Sequence, residues 1–159
     1  MCGRYTLKSS PQAVASLCNL PPIEAYKPRY NIAPSQEVIG VRAGRAGREW
    51  ARLRWGLIPS WSKDPKIAYS LINARSETAA DKPSFRSAMK RRRCLIPADG
   101  FYEWKKVGKQ KLPLYIRLRD ESPFAFAGLW EPAAAAVPFW SGHLSSALAM
   151  PSPSSSGGV

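Results

Sequence analysis

Apolar residues alternate with mainly basic residues along the segment from Arg48 to Leu57. Successive side chains of a β-strand point to opposite faces, so the pattern predicts a half-buried strand with a basic outer face. The inner positions are Ala51, Leu53, Trp55 and Leu57, and the outer positions are Arg48, Trp50, Arg52 and Arg54. The expected partner strand is Glu37 to Ala43, because the glycine-containing segment Gly44 to Gly47 suits a hairpin loop between antiparallel strands.

Other segments have the composition of short strands and short helices. Further strands are expected over Arg4–Leu7, Cys94–Lys106, Leu112–Arg119 and Phe124–Trp130, with a turn around Gly108. Ser10 followed by Pro11 predicts a helix that continues to about Leu17, and helical segments are expected near residues 76–80 and 84–92. Together these elements indicate an α+β fold, with a mainly antiparallel curved sheet or partly open β-barrel and a few flanking helices.

Composition divides the chain into two parts. A chain of 159 residues is long enough for one domain with a hydrophobic core, which we expect over residues 1–131. Residues 132–159 contain no Asp, Glu, Lys or Arg and consist largely of Ala, Ser, Pro and Gly. That composition favours a poorly ordered, low-complexity tail.

Charge and cysteine content narrow the partners and the compartment. The 24 Lys and Arg against 11 Asp and Glu give a net charge of +13. Nucleic acid is therefore the first candidate partner and an acidic membrane surface the second, because bound phosphates release condensed counterions. No apolar run reaches the roughly 20 residues that span a bilayer. The three cysteines have no metal-ligand spacing, so we expect a soluble protein of a reducing, intracellular compartment, without metal or cofactor.

Cys2 becomes the N-terminal residue if the initiator methionine is removed, the usual fate of Met before a small side chain. Its α-amine would have a pKa near 7.7 to 8.0 against about 10.4 for lysine, so far more of it is free base at neutral pH. The amine can condense with an aldehyde, after which the thiol can close onto the imine carbon as a five-membered thiazolidine. An incidental penultimate cysteine is the alternative.

Two further segments carry polar groups that suit such chemistry. Glu103 shares a predicted strand face with Phe101, and its carboxyl can move protons when a sugar opens or a carbinolamine loses water. It can also be a solvated surface group. Asn73 can orient a hydroxyl and Arg75 can clamp a phosphate, although the same segment suits a helix start capped by Ser76.

Tryptophans are interleaved with arginines, a mixture of stacking faces and cations that is typical of single-stranded nucleic-acid binding. These residues are Trp55, Trp61, Trp104, Arg52, Arg54 and Arg75. Core packing is the better interpretation for Trp55, whereas Trp61 lies in a Pro-Ser-Trp-Ser loop that favours exposure. The basic run Lys90 to Arg93 can face nucleic acid or end a helix, where cations interact favourably with the dipole.

Five short blocks follow one another along the chain. They are Cys2-Gly3-Arg4-Tyr5, Arg29-Tyr30-Asn31-Ile32-Ala33-Pro34, Trp55-Gly56-Leu57-Ile58-Pro59-Ser60-Trp61, Asn73-Ala74-Arg75-Ser76-Glu77 and Pro97-Ala98-Asp99-Gly100-Phe101-Tyr102-Glu103-Trp104. Together they resemble the SOS response-associated peptidase family. The resemblance covers about Cys2 to Glu131. It implies a mainly antiparallel β fold, a monomer of the bacterial cytoplasm and nucleoid, and a DNA-repair protein that processes abasic sites in single-stranded DNA.

The resemblance also implies roles for individual residues. Cys2 matches the nucleophile that forms a thiazolidine crosslink with the abasic-site aldehyde, Asn73 the amide that positions the sugar, and Glu103 the catalytic acid. The family further implies that Met1 is removed, by self-cleavage or by an aminopeptidase, which explains the peptidase name.

The expected DNA-contacting residues form a second group. Arg4 and Arg75 match cations on the phosphate side in the family, and Trp61 matches a loop residue near the bases. The expected group is completed by Trp104, Arg52 and Arg54.

The C-terminal part departs from the family's pattern. Members continue past the block resembling Gly128-Leu129-Trp130-Glu131 into further strands and a His-x-Arg-Met-Pro motif whose histidine belongs to the site. That motif is missing from this sequence, and its only histidine, His143, has no matching neighbours. We expect a truncation or frameshift near Pro132 that leaves sheet edges unpaired and reduces both stability and activity.

Two other functions fit part of the sequence. A Cys-Gly start also opens glutamine amidotransferases, in which Cys2 would attack an amide with its own amine as base. Ammonia release from glutamine would identify such an N-terminal cysteine amidohydrolase. A domain without the family's histidine can also be a single-stranded DNA-binding module that has lost the chemistry.

Overall fold

Ten strands and two α-helices make up the part of the chain that a computed structural model describes, residues 2–23, 26–132 and 144–150. The strands are β1 (Arg4–Leu7), β2 (Arg29–Ile32), β3 (Glu37–Gly44), β4 (Gly47–Trp55), β5 (Asn73–Arg75), β6 (Arg93–Ala98), β7 (Gly100–Val107), β8 (Gln110–Arg117), β9 (Phe124–Pro132) and β10 (Leu144–Met150). The helices are α1 (Pro11–Cys18) and α2 (Pro83–Arg91), and a 3₁₀ helix spans Pro65–Tyr69.

The strands form two sheets. One has the order β2-β1-β7-β8, and the other has the order β4-β3-β6-β9-β10-β5. β10 also pairs with β4, so the second sheet is curved; the pairings of β10 with β4 and β5 are parallel and the others are antiparallel. The predicted α+β class with a mainly antiparallel curved sheet is confirmed.

The alternating segment forms β4 as predicted. Ala51, Leu53 and Trp55 are buried, whereas Arg52 between them is exposed. β3 and β4 pair from Glu37↔Arg54 to Gly44↔Gly47. The local alternation decides this hairpin because one face must be buried.

The predicted helix after Ser10 is also present, as α1. The Ser10 hydroxyl accepts a hydrogen bond from the Ala13 amide at 3.2 Å, which caps α1, and Pro11 occupies the first turn. Asn19 ends the helix in the left-handed conformation, with a φ of 52°. The expected helical segment near residues 76–80 instead forms turns, whereas the segment expected near 84–92 is helix α2.

The prediction of a single strand over Cys94–Lys106 was wrong. This segment forms two strands, β6 and β7, which are separated at Asp99 and belong to different sheets. Asp99 is 2% exposed, and its carboxylate accepts hydrogen bonds from the Lys8 and Ser9 amides and the Ser9 hydroxyl. Its own amide donates to the Thr6 carbonyl at 2.9 Å. A buried carboxylate needs such partners, and here they fix the point where the chain changes sheets.

Aromatic side chains of both sheets meet in one core. The Tyr5 ring lies 5.4 Å from Trp55 and 6.0 Å from Phe126, and Phe101 lies 5.7 Å from Phe126, all with edge-to-face geometry. Such pairs stabilise by about 0.5 to 1.5 kcal/mol beyond the buried area. β1 and β7 of the first sheet are thereby packed against β4 and β9 of the second.

The segment expected to be a tail contains β10, which pairs with β9 from Leu144↔Pro132 to Ala149↔Ala127. The rest of that segment, including His143, lies outside the described residues. Among the described residues, no helix is long and apolar enough to cross a membrane.

Candidate functional site

Cys2 lies just before β1 and is fully buried, with 0% exposure. β1 pairs with β7 through Arg4↔Tyr102 and Tyr5↔Phe101, but a bend at Gly3 interrupts the strand before Cys2. The thiol therefore joins the same core as Tyr5, and its Sγ donates to the Arg4 carbonyl at 3.3 Å. The bend places a potential nucleophile inside the protein and not on its surface.

Asn73, the first residue of β5, binds the backbone of Cys2. Its Nδ2 donates to the Cys2 carbonyl at 2.7 Å, while its Oδ1 is buried and has no hydrogen-bond partner among the described residues. The indole Nε1 of Trp55 donates to the Ile72 carbonyl at 2.8 Å, which holds the start of β5 against β4. The amide of Asn73 thus fixes Cys2 on one side and offers an acceptor on the other.

Glu103 lies on β7 on the same face as Phe101, whose ring contacts Phe126 of the second sheet. Burial raises the pKa of the Cys2 thiol from its ordinary value of 9.0 to about 11. The hydrogen bond to the Arg4 backbone lowers that pKa, and the negative charge of Glu103 raises it. The thiol is therefore protonated at neutral pH, with a carboxylate close enough to influence it.

A shallow pocket of about 440 Å³ lies on the outer side of β1. It is lined by Arg4, Tyr30, Asn31, Tyr102 and Trp104. Arg4 donates from Nη1 to Asn31 Oδ1 at 3.1 Å, and Tyr30 and Trp104 are 64% and 43% exposed. A cation between two exposed aromatic rings suits a phosphate with flanking bases.

The other predicted site residues are divided between two regions. Arg75 is exposed and lies two residues after Asn73 on β5, so the two side chains share a strand face. Trp61 lies in the loop between β4 and the 3₁₀ helix and is 60% exposed. Arg52 bonds Glu37 at 2.6 Å, and Arg54 donates to the Ser35 carbonyl at 3.2 Å, both on the outer face of β4.

Arg52 and Arg54 are not among the residues that line the pocket around Arg4. Arg52 lines another cavity, of about 330 Å³, together with Arg29 and Trp50. A contact between DNA and Arg52 or Arg54 stays a prediction.

Three pocket residues were not singled out as site residues from the sequence. Tyr30 and Asn31 lie on β2 and Tyr102 on β7, and 27 positions separate Arg4 from Asn31. The sequence did contain a local indication of Tyr30 and Asn31 as site residues, because in Arg29-Tyr30-Asn31 an aromatic ring and an amide follow a cation. The pairing of β2 with β1 that brings this strand to Arg4 cannot be read from local pattern.

The predicted basic run is only partly a surface feature. Arg92 donates from Nη2 to Glu131 Oε1 and to the Ser87 hydroxyl, both at 2.7 Å. Glu131 is 2% exposed, so Arg92 ties the end of α2 to β9. Arg93 is exposed at the start of β6.

The protein is therefore an α+β protein with two mainly antiparallel sheets. Its candidate site is built around a buried cysteine that lies just before the first strand. A model of the family described as SOS response associated peptidase (SRAP) matches residues 1–147. The chain belongs to this family, as the sequence blocks predicted. The match extends beyond residue 131, where the resemblance in the sequence blocks was expected to end.

Relatives and solved structures agree with this assignment. The chain is 47% identical over 135 residues to the abasic site processing protein YoqW of Bacillus subtilis, covering 82% of this chain and 60% of the relative. It is 44% identical over 147 residues to YoaM of the same organism, a protein of the same description, covering 90% and 62%. The chain thus spans about 60% of the length of these relatives.

The fold has solved counterparts. A protein from Bacteroides thetaiotaomicron superposes with a TM-score of 0.77 at 24% identity, covering 92% of this chain and 66% of that structure. A phage-related protein from Bordetella bronchiseptica superposes with a TM-score of 0.73 at 29% identity, covering 94% and 69%. These structures support the two-sheet fold.

Proposed function

We propose that this chain processes abasic sites in the DNA damage response by binding single-stranded DNA and joining the abasic-site aldehyde covalently to Cys2. The proposal rests on the placement of two side chains around Cys2. Asn73 Nδ2 donates a hydrogen bond to the Cys2 carbonyl at 2.7 Å, and Glu103 lies close enough for its negative charge to raise the pKa of the Cys2 thiol. The names of the relatives, abasic site processing proteins, support the processing of abasic sites.

The first requirement is the removal of Met1. The α-amine of Cys2 is otherwise an amide nitrogen of the Met1–Cys2 peptide bond and cannot attack a carbonyl. Self-cleavage or an aminopeptidase can supply this step. Once free, the amine lies next to a carbonyl group whose position Asn73 fixes.

The amine then attacks C1′ of the ring-opened deoxyribose, and the carbinolamine loses water to give an imine. The thiol adds to the imine carbon and its proton goes to the imine nitrogen, which closes a thiazolidine with the net release of one water. Glu103 takes a proton from the attacking amine and passes it to the departing hydroxyl. The open Oδ1 of Asn73 accepts a hydrogen bond from a sugar hydroxyl.

The pocket around Arg4 supplies the DNA contacts. The Arg4 guanidinium binds a phosphate beside the abasic site, and the exposed rings of Tyr30 and Trp104 stack on neighbouring bases. Arg75 reaches a phosphate from the strand face that it shares with Asn73. Trp61 stacks on a base from its loop. A monomer suffices, because Cys2, Asn73 and Glu103 come from one chain.

Intact-mass measurement tests the proposal. The Met1-free protein is incubated with a single-stranded oligonucleotide that contains one abasic site, and with the undamaged oligonucleotide as control. We expect a heat-stable species at the summed mass less one water with the abasic oligonucleotide only. Binding without this species would make the chain a DNA-binding module, and ammonia release from glutamine would make it an amidohydrolase.

A further inference from the structure

A second concentration of positive charge lies beside the tip of the β3–β4 hairpin. Arg42, Arg48 and Arg93 line a cleft of about 400 Å³, whose floor includes Val41 and Leu95. Leu95 is 37% exposed. We call this feature the arginine cleft; none of these residues belongs to the site around Cys2.

The sheet topology creates the cleft. β3 pairs with β6 at Val41↔Leu95 and Arg42↔Cys94, whereas its pairing with β4 continues to Gly44↔Gly47. The hairpin tip therefore extends past the start of β6, where Arg93 lies. The gap between the hairpin and β6 brings together cations that lie about 50 positions apart in the sequence.

The cleft is electropositive and partly rigid. Arg42 contacts Glu49 Oε1 at 2.7 Å, and its guanidinium lies 4.8 Å from the Trp130 ring centre. Arg48 donates from Nη1 to the Cys18 carbonyl at 3.3 Å, and a guanidinium has further N–H donors for a ligand. Because Glu49 pairs with Arg42, the net positive charge of the cleft comes from Arg48 and Arg93.

The arginine cleft lies well away from Cys2. Trp55, at one end of β4, bonds the Ile72 carbonyl beside Asn73. Arg48 is seven positions earlier on the same strand, and a strand rises about 3.3 Å per residue, so the two sites are roughly 20 Å apart. A ligand that reaches both must be an extended polyanion.

We propose that the arginine cleft binds the sugar-phosphate backbone of the single strand whose abasic site occupies the Cys2 site, several nucleotides from that site. This rests on the proposed function for the identity of the ligand. The planar guanidinium matches a phosphate through paired N–H donors, and Arg48 and Arg93, which lie on the same sheet face as Leu95, suit neighbouring phosphates. The apolar floor adds a surface on which a sugar or base can lie.

Binding of undamaged single-stranded DNA tests the cleft without any crosslink. Fluorescence anisotropy is measured with 5- and 20-nucleotide strands over a salt series, using the wild type, Arg48→Gln, Arg93→Gln and Arg93→Lys. Arg119→Gln, an exposed arginine after β8, is the matched control for loss of one charge.

We expect Arg48→Gln and Arg93→Gln each to weaken binding of the long strand and to reduce its salt slope by about 0.7, the release expected per phosphate of a single strand. Arg93→Lys should retain the slope, and Arg119→Gln should leave it unchanged. Two results would overturn the proposal that the arginine cleft binds DNA. One is an equal salt slope for Arg93→Gln and Arg119→Gln, and the other is an equal loss of affinity for the short and the long strand. The anisotropy measurement uses undamaged DNA and does not involve Cys2. If crosslinking fails in a separate assay with abasic DNA, the proposed function is wrong, but the anisotropy result still tests the arginine cleft.

Discussion

Asn73 holds the carbonyl group of Cys2 across 71 positions of sequence, with 2.7 Å between its Nδ2 and the carbonyl oxygen. The partner strand β5 is three residues long and is itself anchored by Trp55 through the Ile72 carbonyl. Cys2 is therefore fixed by the second sheet, although β1 belongs to the first. The geometry of the candidate site thus depends on the packing of the two sheets.

Replacing Asn73 by Asp should slow crosslinking and lower the stability of the fold. The substitution keeps the shape but puts an acceptor opposite the Cys2 carbonyl, which then lacks its donor. Leaving that buried acceptor unpaired costs about 1 to 3 kcal/mol of stability. A carbonyl that is no longer held misplaces the amine, so we expect a roughly 10- to 100-fold lower rate of adduct formation. Asn19→Asp, at the end of α1, is the control. A wild-type rate for Asn73→Asp in a gel time course would contradict the positioning role.

Cys2→Ala should abolish the heat-stable adduct with abasic DNA. Only Cys2 presents an amine and a thiol on adjacent carbons once Met1 is removed. Cys18→Ala is the matched control, because Cys18 is also a free, buried cysteine and should not affect the adduct. Denaturing electrophoresis after heating measures the outcome; an undiminished adduct from Cys2→Ala would exclude the thiazolidine.

Glu103→Gln should reduce the rate of adduct formation by about 10²- to 10⁴-fold, the usual contribution of general acid–base catalysis. DNA binding should persist, because the substitution removes a negative charge. Glu37→Gln, on β3 beside Arg52, is the control for loss of a carboxylate. Single-turnover rates with abasic DNA check the prediction, and a loss of less than threefold would remove Glu103 from the mechanism.

Stability at alkaline pH should depend on Cys2. Burial raises the pKa of its thiol from 9.0 to about 11, so the unfolded chain ionises first. The contribution of this thiol is intact below about pH 9 and is lost as the pH rises toward about 11, by roughly 2 kcal/mol at pH 10.5. Burial raises the pKa of Cys94 to about 12, which acts in the same direction.

Urea unfolding at about pH 7.5 and 10.5 measures this loss. Cys2→Ala should lose less free energy of unfolding between the two pH values than the wild type. The same decline in both proteins would show that the Cys2 thiol does not carry the effect.

Trp55 and Trp61 should respond oppositely to replacement by alanine. Trp61 is 60% exposed, so Trp61→Ala should weaken single-strand binding by about 1 to 3 kcal/mol and leave stability almost unchanged. Trp55 is 1% exposed and its indole donates to the Ile72 carbonyl, so Trp55→Ala should cost about 3 to 5 kcal/mol of stability. Anisotropy and urea unfolding separate the two effects. Equal stability losses would contradict the assignment.

Local patterns in the sequence determined the β3–β4 hairpin, helix α1 and the interpretation of Trp55 as core. Each depends on residues close together in the chain: the alternation along β4, and the cap made by Ser10 with Pro11. The sequence blocks also predicted the family and the candidate residues Cys2, Asn73 and Glu103.

The tertiary structure decided what depends on distant contacts. Cys94–Lys106 looked like one strand, because the hydrogen bonds that break it at Asp99 come from Lys8 and Ser9. Tyr30 and Asn31 join Arg4 because β2 pairs with β1, and Arg52 instead faces Glu37 because β3 pairs with β4. Sequence pattern determines which side of a strand a residue occupies, but the pairing of strands and the packing of sheets determine which residues it meets.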